Sequence, residues 1–308
     1  MTRLFSPLCW VGPPLSVWTT GQHNVHLQLT QGPYIPATAG DAARIPPAIA
    51  AYAIAAYTRP GGTVVDPDCG AGTVLVEALR AGRHAIGITG HHPWRLIARA
   101  NVTAAKRDGA GSEGTVLDTP PDAGAMRRAG LAGRSDLLLT TWRPPPRSHA
   151  HRANELEGGT GTNAEEGAAT DRLHALLARC QPLLRPGSHV IVVAPRHRTS
   201  RGALLDLPEH VVRAGRTVGL LPVERCVALL GELRGSRLVA RASMARRRAV
   251  ARHERILGKP VMLPAHQDVL IFQTPRQAAA AELSAPPPGP SPLHPPDRVL
   301  VSWRRAAA

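Results

Sequence analysis

A glycine-rich turn, "DPDCGAGT" (residues 66–73), is the segment of this sequence best suited to hold a ligand. It follows an apolar run and precedes a stretch with helical spacing. Gly70 and Gly72 allow a ligand to approach the backbone with no Cβ in the way. Asp66 or Asp68 offers a carboxylate to a ligand ammonium, and the helix that follows offers free N–H groups. The alternative is a tight strand-to-helix turn in which glycine serves packing alone.

Short apolar strands alternate with helix-patterned segments on both sides of this turn. The predicted strands are "TVVD", "HAIGIT", "GTVLD", "RSDLLLTT", "HVIVVAP", "VGLLPVERCVALL" and "QDVLIFQT". Between them lie "TVLVEALRAG", "PWRLIARANVTAAKRDG", "TDRLHALLARCQPLL" and a helix over about 203–215. This alternation predicts right-handed βαβ units, a parallel sheet and the α/β class. Ligands bind such sheets at the carboxyl ends of the strands, where "DPDCGAGT" lies.

The composition changes along the chain and predicts its organisation. Residues 1–40 have no sustained period and indicate an irregular arm, and residues 41–276 form the α/β domain. Within the domain, residues 143–169 are polar and rich in Gly and Pro, which predicts a mobile loop. Residues 231–264 form a basic insertion between the last two strands, and residues 277–308 form a disordered tail rich in Ala and Pro.

The stretch "VVDPDCGAGTVLVEALRAGRHAIGI" resembles the first motif of class I S-adenosylmethionine-dependent methyltransferases. The similarity is to the branch of N4-cytosine and N6-adenine DNA methylases and related RNA methylases, whose usual form is DP-x-x-G-x-G-T. The resemblance implies a Rossmann-like, seven-stranded sheet with helices on both faces and an antiparallel last strand. It also implies S-adenosyl-L-methionine as the cofactor and transfer of a methyl group to an adenine or cytosine amine.

The family's residue roles carry over onto the turn. They place Asp66 and Gly70 near the methionine end of the cofactor. Pro67, Cys69, Ala71 and Gly72 shape the turn around it. The third-strand motif of the family often supplies an acid for the adenine, and here Asp118 or Asp122 could serve, although a solvated loop acid is an equal alternative.

Two positions depart from the family pattern. The second strand should end in an acid for the ribose hydroxyls, yet it ends in Thr89, whose hydroxyl cannot replace a charge-assisted contact. After the fourth strand the family has Asp, Asn or Ser, then Pro-Pro and an aromatic ring, whereas this chain reads "TTWRPPP". An ungapped alignment puts Thr141 at the polar position and Trp142 next to it. A shifted alignment matches Pro144-Pro145 but does not restore the motif. Cofactor binding and catalysis are therefore both expected to be weak, or catalysis lost.

The net charge of +15 favours a polyanionic partner, because clustered cations gain affinity for phosphate. Nucleic acid is the predicted partner, DNA before RNA, although the Arg-rich composition could also reflect GC-rich coding. The absence of an eighteen-residue apolar stretch predicts no membrane partner, and a cytoplasmic location fits best. The four cysteines form no CxxC pair, so we expect neither a disulfide framework nor a zinc ribbon. His149 and His151 are interpreted as solvated.

The predicted function is therefore that of a DNA amino-methyltransferase, with two alternatives. One is an RNA methylase of the same superfamily, of the tRNA guanine-N2 type. The other is a protein that keeps the sheet to bind nucleic acid or a partner without catalysis. Methyl transfer assays separate the first two, and cofactor titration separates both from the third.

Overall fold

The computed structural model of the protein describes residues 13–118, 127–128, 130–142, 161–195, 206–242 and 244–276, with the backbone alone at 161–166, 168, 169, 245 and 246. The chain divides into two compact units, Met1–Pro275 and Arg276–Ala308. All the elements described below belong to the first unit.

The described residues form ten strands, seven α-helices and two short 3-10 turns. The strands are β1 (Val17–Trp18), β2 (Thr63–Asp66), β3 (His84–Ile88), β4 (Gly114–Leu117), β5 (Ser135–Thr141), β6 (Leu184–Ala194), β7 (Leu221–Leu229), β8 (Glu232–Arg234), β9 (Arg237–Val239) and β10 (His266–Gln273). The helices are α1 (Val25–Gln31), α2 (Pro47–Tyr57), α3 (Thr73–Arg80), α4 (His92–Arg107), α5 (Gly161–Cys180), α6 (Leu207–Thr217) and α7 (Met244–Leu257). The 3-10 turns are Pro36–Gly40 and Gln181–Leu183.

Eight of these strands form one sheet in the order β1-β7-β10-β6-β5-β2-β3-β4. β2 pairs in parallel with β3 and β5, and β5 pairs in parallel with β6. The last strand, β10, is antiparallel to both β6 and β7. The α/β class, the mostly parallel Rossmann-like sheet and the antiparallel last strand are thus confirmed.

Helices cover both faces of the sheet, and a separate apolar core lies under each. The first core joins α2, α3 and α4 to the sheet, with Ile54, Leu75 and Leu137 completely buried. The second joins α5 and α6 to the other face, with Leu177 and Val211 among its buried residues. The strands β2, β3, β5 and β10 are largely buried, which explains why they are short runs rich in Val, Ile and Leu.

The prediction of an irregular arm over residues 1–40 is wrong for its described part. The arm contains β1, which adds an eighth strand to the expected seven, and α1, which Asn24 caps by accepting the Leu27 N–H at 2.8 Å. Trp18 is completely buried and stacks on Tyr52 of α2 at 4.5 Å between ring centroids. A two-residue strand and a seven-residue helix are too short to show a period in the sequence.

The prediction of a mobile loop over residues 143–169 is wrong at its end. α5 starts at Gly161, nine residues before the predicted helix at Thr170. The segment "NAEEGAA" contains Ala and Glu, which are good helix formers, although its Gly167 and Asn163 favour a loop. Residues 143–160 of that loop, like the tail from residue 277, lie outside the described residues. The basic insertion contains a hairpin, β8-β9, followed by α7.

No helix among the described residues has both the length and the apolar content needed to cross a membrane.

Candidate cofactor site

A cavity of about 500 Å³ lies at the carboxyl ends of β2, β3, β4 and β5, against one side of α5. This is the edge of a parallel sheet at which ligands bind. The described residues that line the cavity are Pro67, Asp68, Ile88, Thr89, Gly90, Asp118, Thr141, Trp142, Arg172, Leu173, Ala175, Leu176 and Arg179. The lining of the cavity thus combines apolar side chains with two acids, two hydroxyls and two arginines.

The predicted site residues divide into two groups. Pro67, Thr89, Thr141 and Trp142 line the cavity together, although they come from separate parts of the chain. Asp66, Cys69, Gly70 and Gly72 belong to the turn beside it and are not among the described lining residues. Asp122, like His149 and His151, lies outside the described residues.

The glycine turn is closed by its own hydrogen bonds. The Asp66 carboxylate accepts the Asp68 N–H at 3.2 Å, and the Gly72 N–H donates to the Cys69 carbonyl at 2.7 Å. Gly70 and Gly72 have φ of 50° and 82°, in the left-handed region that glycine adopts without strain. A Cβ on Gly72 would also lie 3.1 Å from the Ala98 Cβ of α4. Gly72 therefore serves the turn conformation and the packing of α4 against it.

Cys69 packs in the core and does not face the cavity. It is 4% exposed, and its N–H donates to the Ile88 carbonyl at 2.9 Å. A Cβ on Gly87 would lie 3.0 Å from the Cys69 Sγ, so this thiol fills the space that a glycine in β3 leaves. The Cys69 side chain therefore packs between the turn and β3.

Two buried polar residues hold the Ala71 peptide of the turn from both sides. Asp41, which is 2% exposed, accepts the Ala71 N–H at 3.0 Å through one carboxylate oxygen and the Ala43 N–H at 3.1 Å through the other. Asn101 of α4 donates to the Ala71 carbonyl at 2.8 Å and to the Thr38 hydroxyl at 2.7 Å. The Ala71 N–H is therefore committed to the protein rather than to a ligand.

The arm braces the helix after the turn as well. The Tyr34 hydroxyl donates to the buried Glu77 carboxylate of α3, which also pairs with Arg80 at 3.1 Å. Burial raises the pKa of the Glu77 carboxyl, and the Arg80 charge opposes that rise. These braces could not be predicted from the sequence, because the hydrogen bonds from Tyr34 to Glu77 and from Ala71 to Asp41 span 43 and 30 positions and leave no local pattern.

Thr89, which is 4% exposed, directly follows β3 and lines the cavity. Asp118, directly after β4, lines the same cavity and pairs with Arg95 of α4 at 3.0 Å. Asp118 is one of the two acids that the sequence offered for the adenine; the other, Asp122, lies outside the described residues. Asp118 supplies a carboxylate near the position where the second strand lacks one.

Thr141 and Trp142 end β5 at the cavity. The Thr141 hydroxyl donates to the Val193 carbonyl of β6 at 3.0 Å, so its hydrogen points into the sheet while its oxygen can still accept. The backbone N–H of Trp142 also donates to the Val193 carbonyl, at 2.9 Å. Only 4% of Trp142 is exposed, because the ring belongs to the second core. A base could meet only the small part of the ring that faces the cavity.

The described residues contain no group of three or more His, Cys, Asp or Glu side chains that could hold a metal ion. Cys69, Cys180 and Cys226 are buried free thiols. Burial raises the pKa of the Cys180 thiol to about 12, so it remains protonated at neutral pH.

A family model described as DNA methylase, of the N6- and N4-methylating type, matches residues 11–92. This match confirms the resemblance to DNA methylases. It covers the arm, α2, the glycine turn, α3 and β3, and it ends just past Thr89. No curated protein matches the chain.

Several solved structures of methyltransferases are similar to this chain at low sequence identity. TrmN from Thermus thermophilus is 16% identical, with 77% of this chain and 51% of that chain covered and a TM-score of 0.43. Geranyl diphosphate C-methyltransferase from Streptomyces coelicolor A3(2) is 15% identical, with 74% and 77% covered and a TM-score of 0.43. A SAM-dependent methyltransferase from Methanosarcina mazei is 13% identical, with 72% and 96% covered and a TM-score of 0.41. The chain spans about half the length of TrmN, and none of these likenesses bears on its substrate.

Proposed function

We propose that the chain binds S-adenosyl-L-methionine in the cavity at the carboxyl edge of the sheet and methylates an exocyclic amine of a nucleic-acid base, in DNA before RNA. The observation that carries this proposal is the position of the cavity beside the glycine turn, within a chain whose first third contains the match to DNA methylases. Open parallel sheets bind nucleotide-bearing ligands at this place.

The lining of the cavity fits the cofactor in size and in chemistry. A volume of about 500 Å³ suits a nucleoside with an amino-acid arm. Ile88 and Leu176 give an apolar surface for a purine ring, and Asp118 and Thr89 give acceptors for ribose hydroxyls. Asp68 would accept from the ammonium of the amino-acid arm, and the arginines of α5 offer cations to its carboxylate.

When bound, the cofactor supplies an electrophilic methyl group on a sulfonium. The lone pair of the base amine would form a bond to this methyl carbon as the carbon–sulfur bond breaks, S-adenosylhomocysteine would leave as the neutral sulfide, and the methylated amine would release one proton to solvent. Thr141 would orient the amine, because its oxygen accepts one hydrogen bond while its own hydrogen stays on Val193. The wall formed by Trp142 and Leu173 excludes water on one side of the reacting atoms.

A second function is nucleic-acid binding without catalysis. It is favoured by the two positions, at Thr89 and after Thr141, where the sequence departs from the pattern of the DNA methylases. The ribose position has a neutral hydroxyl, and "TTWRPPP" replaces the polar residue, Pro-Pro and aromatic ring of the family. An amine that becomes cationic during transfer needs oriented acceptors, and Thr141 is the one side-chain acceptor that the described residues bring there at the end of β5.

The test is incorporation of labelled methyl from S-adenosyl-L-methionine into mixed-sequence DNA and into RNA, with the parent and Thr141→Val. Label in DNA that falls in Thr141→Val supports the proposal. Label confined to RNA supports the RNA alternative. Absence of label in both, with the cofactor bound, contradicts methyl transfer and leaves the binding function.

A further inference from the structure

Four cations form a stripe along α7 and the residues just after it. Arg248, Arg252, Arg255 and Lys259 follow one another at intervals of four, three and four residues, and all four are exposed. Residues at this spacing lie on one face of a helix. α7 ends at Leu257, so Arg248, Arg252 and Arg255 share a helix face over about 10 Å, and Lys259 follows just beyond the helix.

We call these four cations the α7 stripe. Within the described part of the chain, no acid forms an ion pair with any of them. The insertion holds two acids, Glu232 and Glu254, and both have other partners. Glu232 pairs with Arg234 at 3.0 Å and with Arg241, and Glu254 accepts the Val261 N–H at 3.2 Å. The positive charge of the α7 stripe is therefore directed to solvent.

Arg247 does not belong to this stripe, because its guanidinium is used within the insertion. It donates to the carbonyls of Ala242 and Ala240, each at 3.3 Å. A substitution at Arg247 would therefore disturb the segment that leads into α7. The stripe residues are better probes of a surface contact.

The topology brings the insertion to the edge of the sheet that holds the cavity. β7 is parallel to β5 and β6 through its antiparallel neighbour β10, so β7 ends and β10 begins at the carboxyl edge. The Leu230 N–H donates to the Ala265 carbonyl at 2.8 Å and closes the base of the insertion there. β7 is three strand positions from β5, about 14 Å away at the usual spacing.

The arm fixes the base of the insertion. The Thr20 hydroxyl donates to the Leu229 carbonyl at 2.8 Å. A Cβ on Gly21 would lie 2.3 Å from the Gly231 carbonyl oxygen, so the two backbones touch where the insertion leaves the sheet. The insertion therefore starts from a fixed point on the edge that carries the site.

We propose that the α7 stripe binds the phosphodiester backbone of the nucleic acid whose base enters the cavity, which makes it a positioning surface for substrate. This inference rests on the proposed function. The cations of the stripe match a polyanion in charge, and the distance of about 10 Å between Arg248 and Arg255 corresponds to roughly three phosphates along one strand. Contacts to phosphate fix the register of the substrate and carry no sequence information, so target choice depends on other residues.

Two quadruple variants of the full chain test this surface. The first replaces the stripe, with Arg248→Gln, Arg252→Gln, Arg255→Gln and Lys259→Gln. The second is a matched control that removes the same number of cations from exposed positions at the opposite, amino edge of the sheet: Arg59→Gln, Arg107→Gln, Arg134→Gln and Arg216→Gln. Circular dichroism checks that both variants are folded.

The measurement is the affinity for a mixed-sequence DNA duplex at several salt concentrations. The slope of log K against log salt is negative. We expect its magnitude to be smaller in the stripe variant, by about 0.9 for each phosphate that it no longer neutralises and by up to about 3.6 in total. The control should keep the parent slope. An RNA single strand should show the same change with about 0.7 per phosphate if it is the substrate. Equal slopes in the parent and both variants, or an equal decrease in both variants, would overturn the proposal.

Two further measurements distinguish this proposal from membrane binding and from the proposed cofactor site. Loss of binding to anionic phosphatidylserine vesicles in the stripe variant, with an unchanged DNA slope, would overturn it in favour of a membrane surface. Calorimetry with S-adenosyl-L-methionine tests the proposed function by itself. An unchanged DNA slope with the cofactor bound contradicts the stripe alone, whereas a stripe-dependent slope without cofactor binding contradicts the cofactor site alone.

Discussion

At the scale of the residue, Asp118 places a carboxylate at the cavity where the preceding strand ends in a threonine. Its side chain is 67% exposed and pairs with Arg95 at 3.0 Å. Thr89, by contrast, is buried and offers a hydroxyl alone. In the proposed site, the charged acceptor for a ribose or an adenine would therefore come from the end of β4, where Arg95 pairs with it.

Asp118→Asn should weaken S-adenosyl-L-methionine binding by about tenfold, or about 1.4 kcal/mol. This is the low end for a charged hydrogen bond, because solvent screens an exposed carboxylate. The control is Glu113→Gln, which removes another exposed acid that pairs with a cation, Lys106, but lies at the amino end of β4. Calorimetry should show the decrease in the first variant only, and equal affinities would exclude Asp118 from the site.

Trp142 is a core residue as well as part of the cavity wall. Trp142→Ala should lower the free energy of unfolding by about 3–5 kcal/mol, since it empties a large buried volume. Trp94→Ala, at a half-buried position on α4, should cost less. Denaturant titration measures both. A small decrease in Trp142→Ala would contradict the core role of this ring.

At the scale of the element, the glycine turn depends on the arm and on α4 for its shape. Asp41 and Asn101 hold the two sides of the Ala71 peptide, and Thr38 joins them through Asn101. These are buried bonds, so each is costly to break. The turn, α4 and the 3-10 turn before α2 therefore act as one unit.

Asp41→Asn should destabilise the protein by about 1–3 kcal/mol, because an amide has one acceptor oxygen for the two N–H groups that the carboxylate now binds. The same variant should weaken cofactor binding as the turn loosens. Thermal unfolding and calorimetry measure the two effects. A variant with lowered stability but parent affinity would show that the brace serves folding and not the site.

The amino ends of the strands carry a pH-sensitive group. Burial, and then the Arg185 charge, lower the pKa of His189, whose ring meets Tyr57 edge-on at 5.1 Å between centroids. Arg185 itself pairs with Asp136 at 2.5 Å. A lowered histidine pKa means that the unfolded chain binds the proton more readily than the folded one.

The free energy of unfolding should therefore fall as the pH drops through about 6.5, the usual histidine value, and be fully restored above it. His189→Gln should flatten this acid-side fall, while His26→Gln, on α1 and away from the sheet, should leave it as in the parent. Urea titrations between neutral and mildly acidic pH measure the slope. An identical slope in His189→Gln would assign the effect to other groups.

At the scale of the whole molecule, the sheet was predictable from the sequence because its strands are continuous apolar runs. β2, β3 and β10 match the predicted segments within a residue or so at each end. The glycine turn could be predicted because its chemistry is local. The arm could not, since β1 depends on pairing with β7 more than 200 residues away. The braces at Asp41 and Asn101 and the position of Asp118 at the cavity follow from tertiary contacts that no spacing encodes.

The binding of a polyanionic partner could likewise be predicted only in part from the sequence. The net charge of +15 predicted a polyanionic partner without saying where it binds. Chain topology adds the location, because it returns the insertion to the edge that carries the cavity. A cofactor site and a phosphate surface on one edge would let one substrate reach both.

The most direct test of the central claim is calorimetric titration of S-adenosyl-L-methionine into the parent, Gly90→Phe and Gly111→Phe. Gly90 lines the cavity, and a Cβ there would lie 3.6 Å from the Asp118 carbonyl oxygen, an ordinary contact. Gly111 has open space around it, near the amino end of β4. We predict that the parent and Gly111→Phe bind alike and that Gly90→Phe binds about tenfold more weakly or worse, a decrease of at least about 1.4 kcal/mol. Failure of the parent to bind, or equal affinity in all three proteins, would contradict the cofactor site.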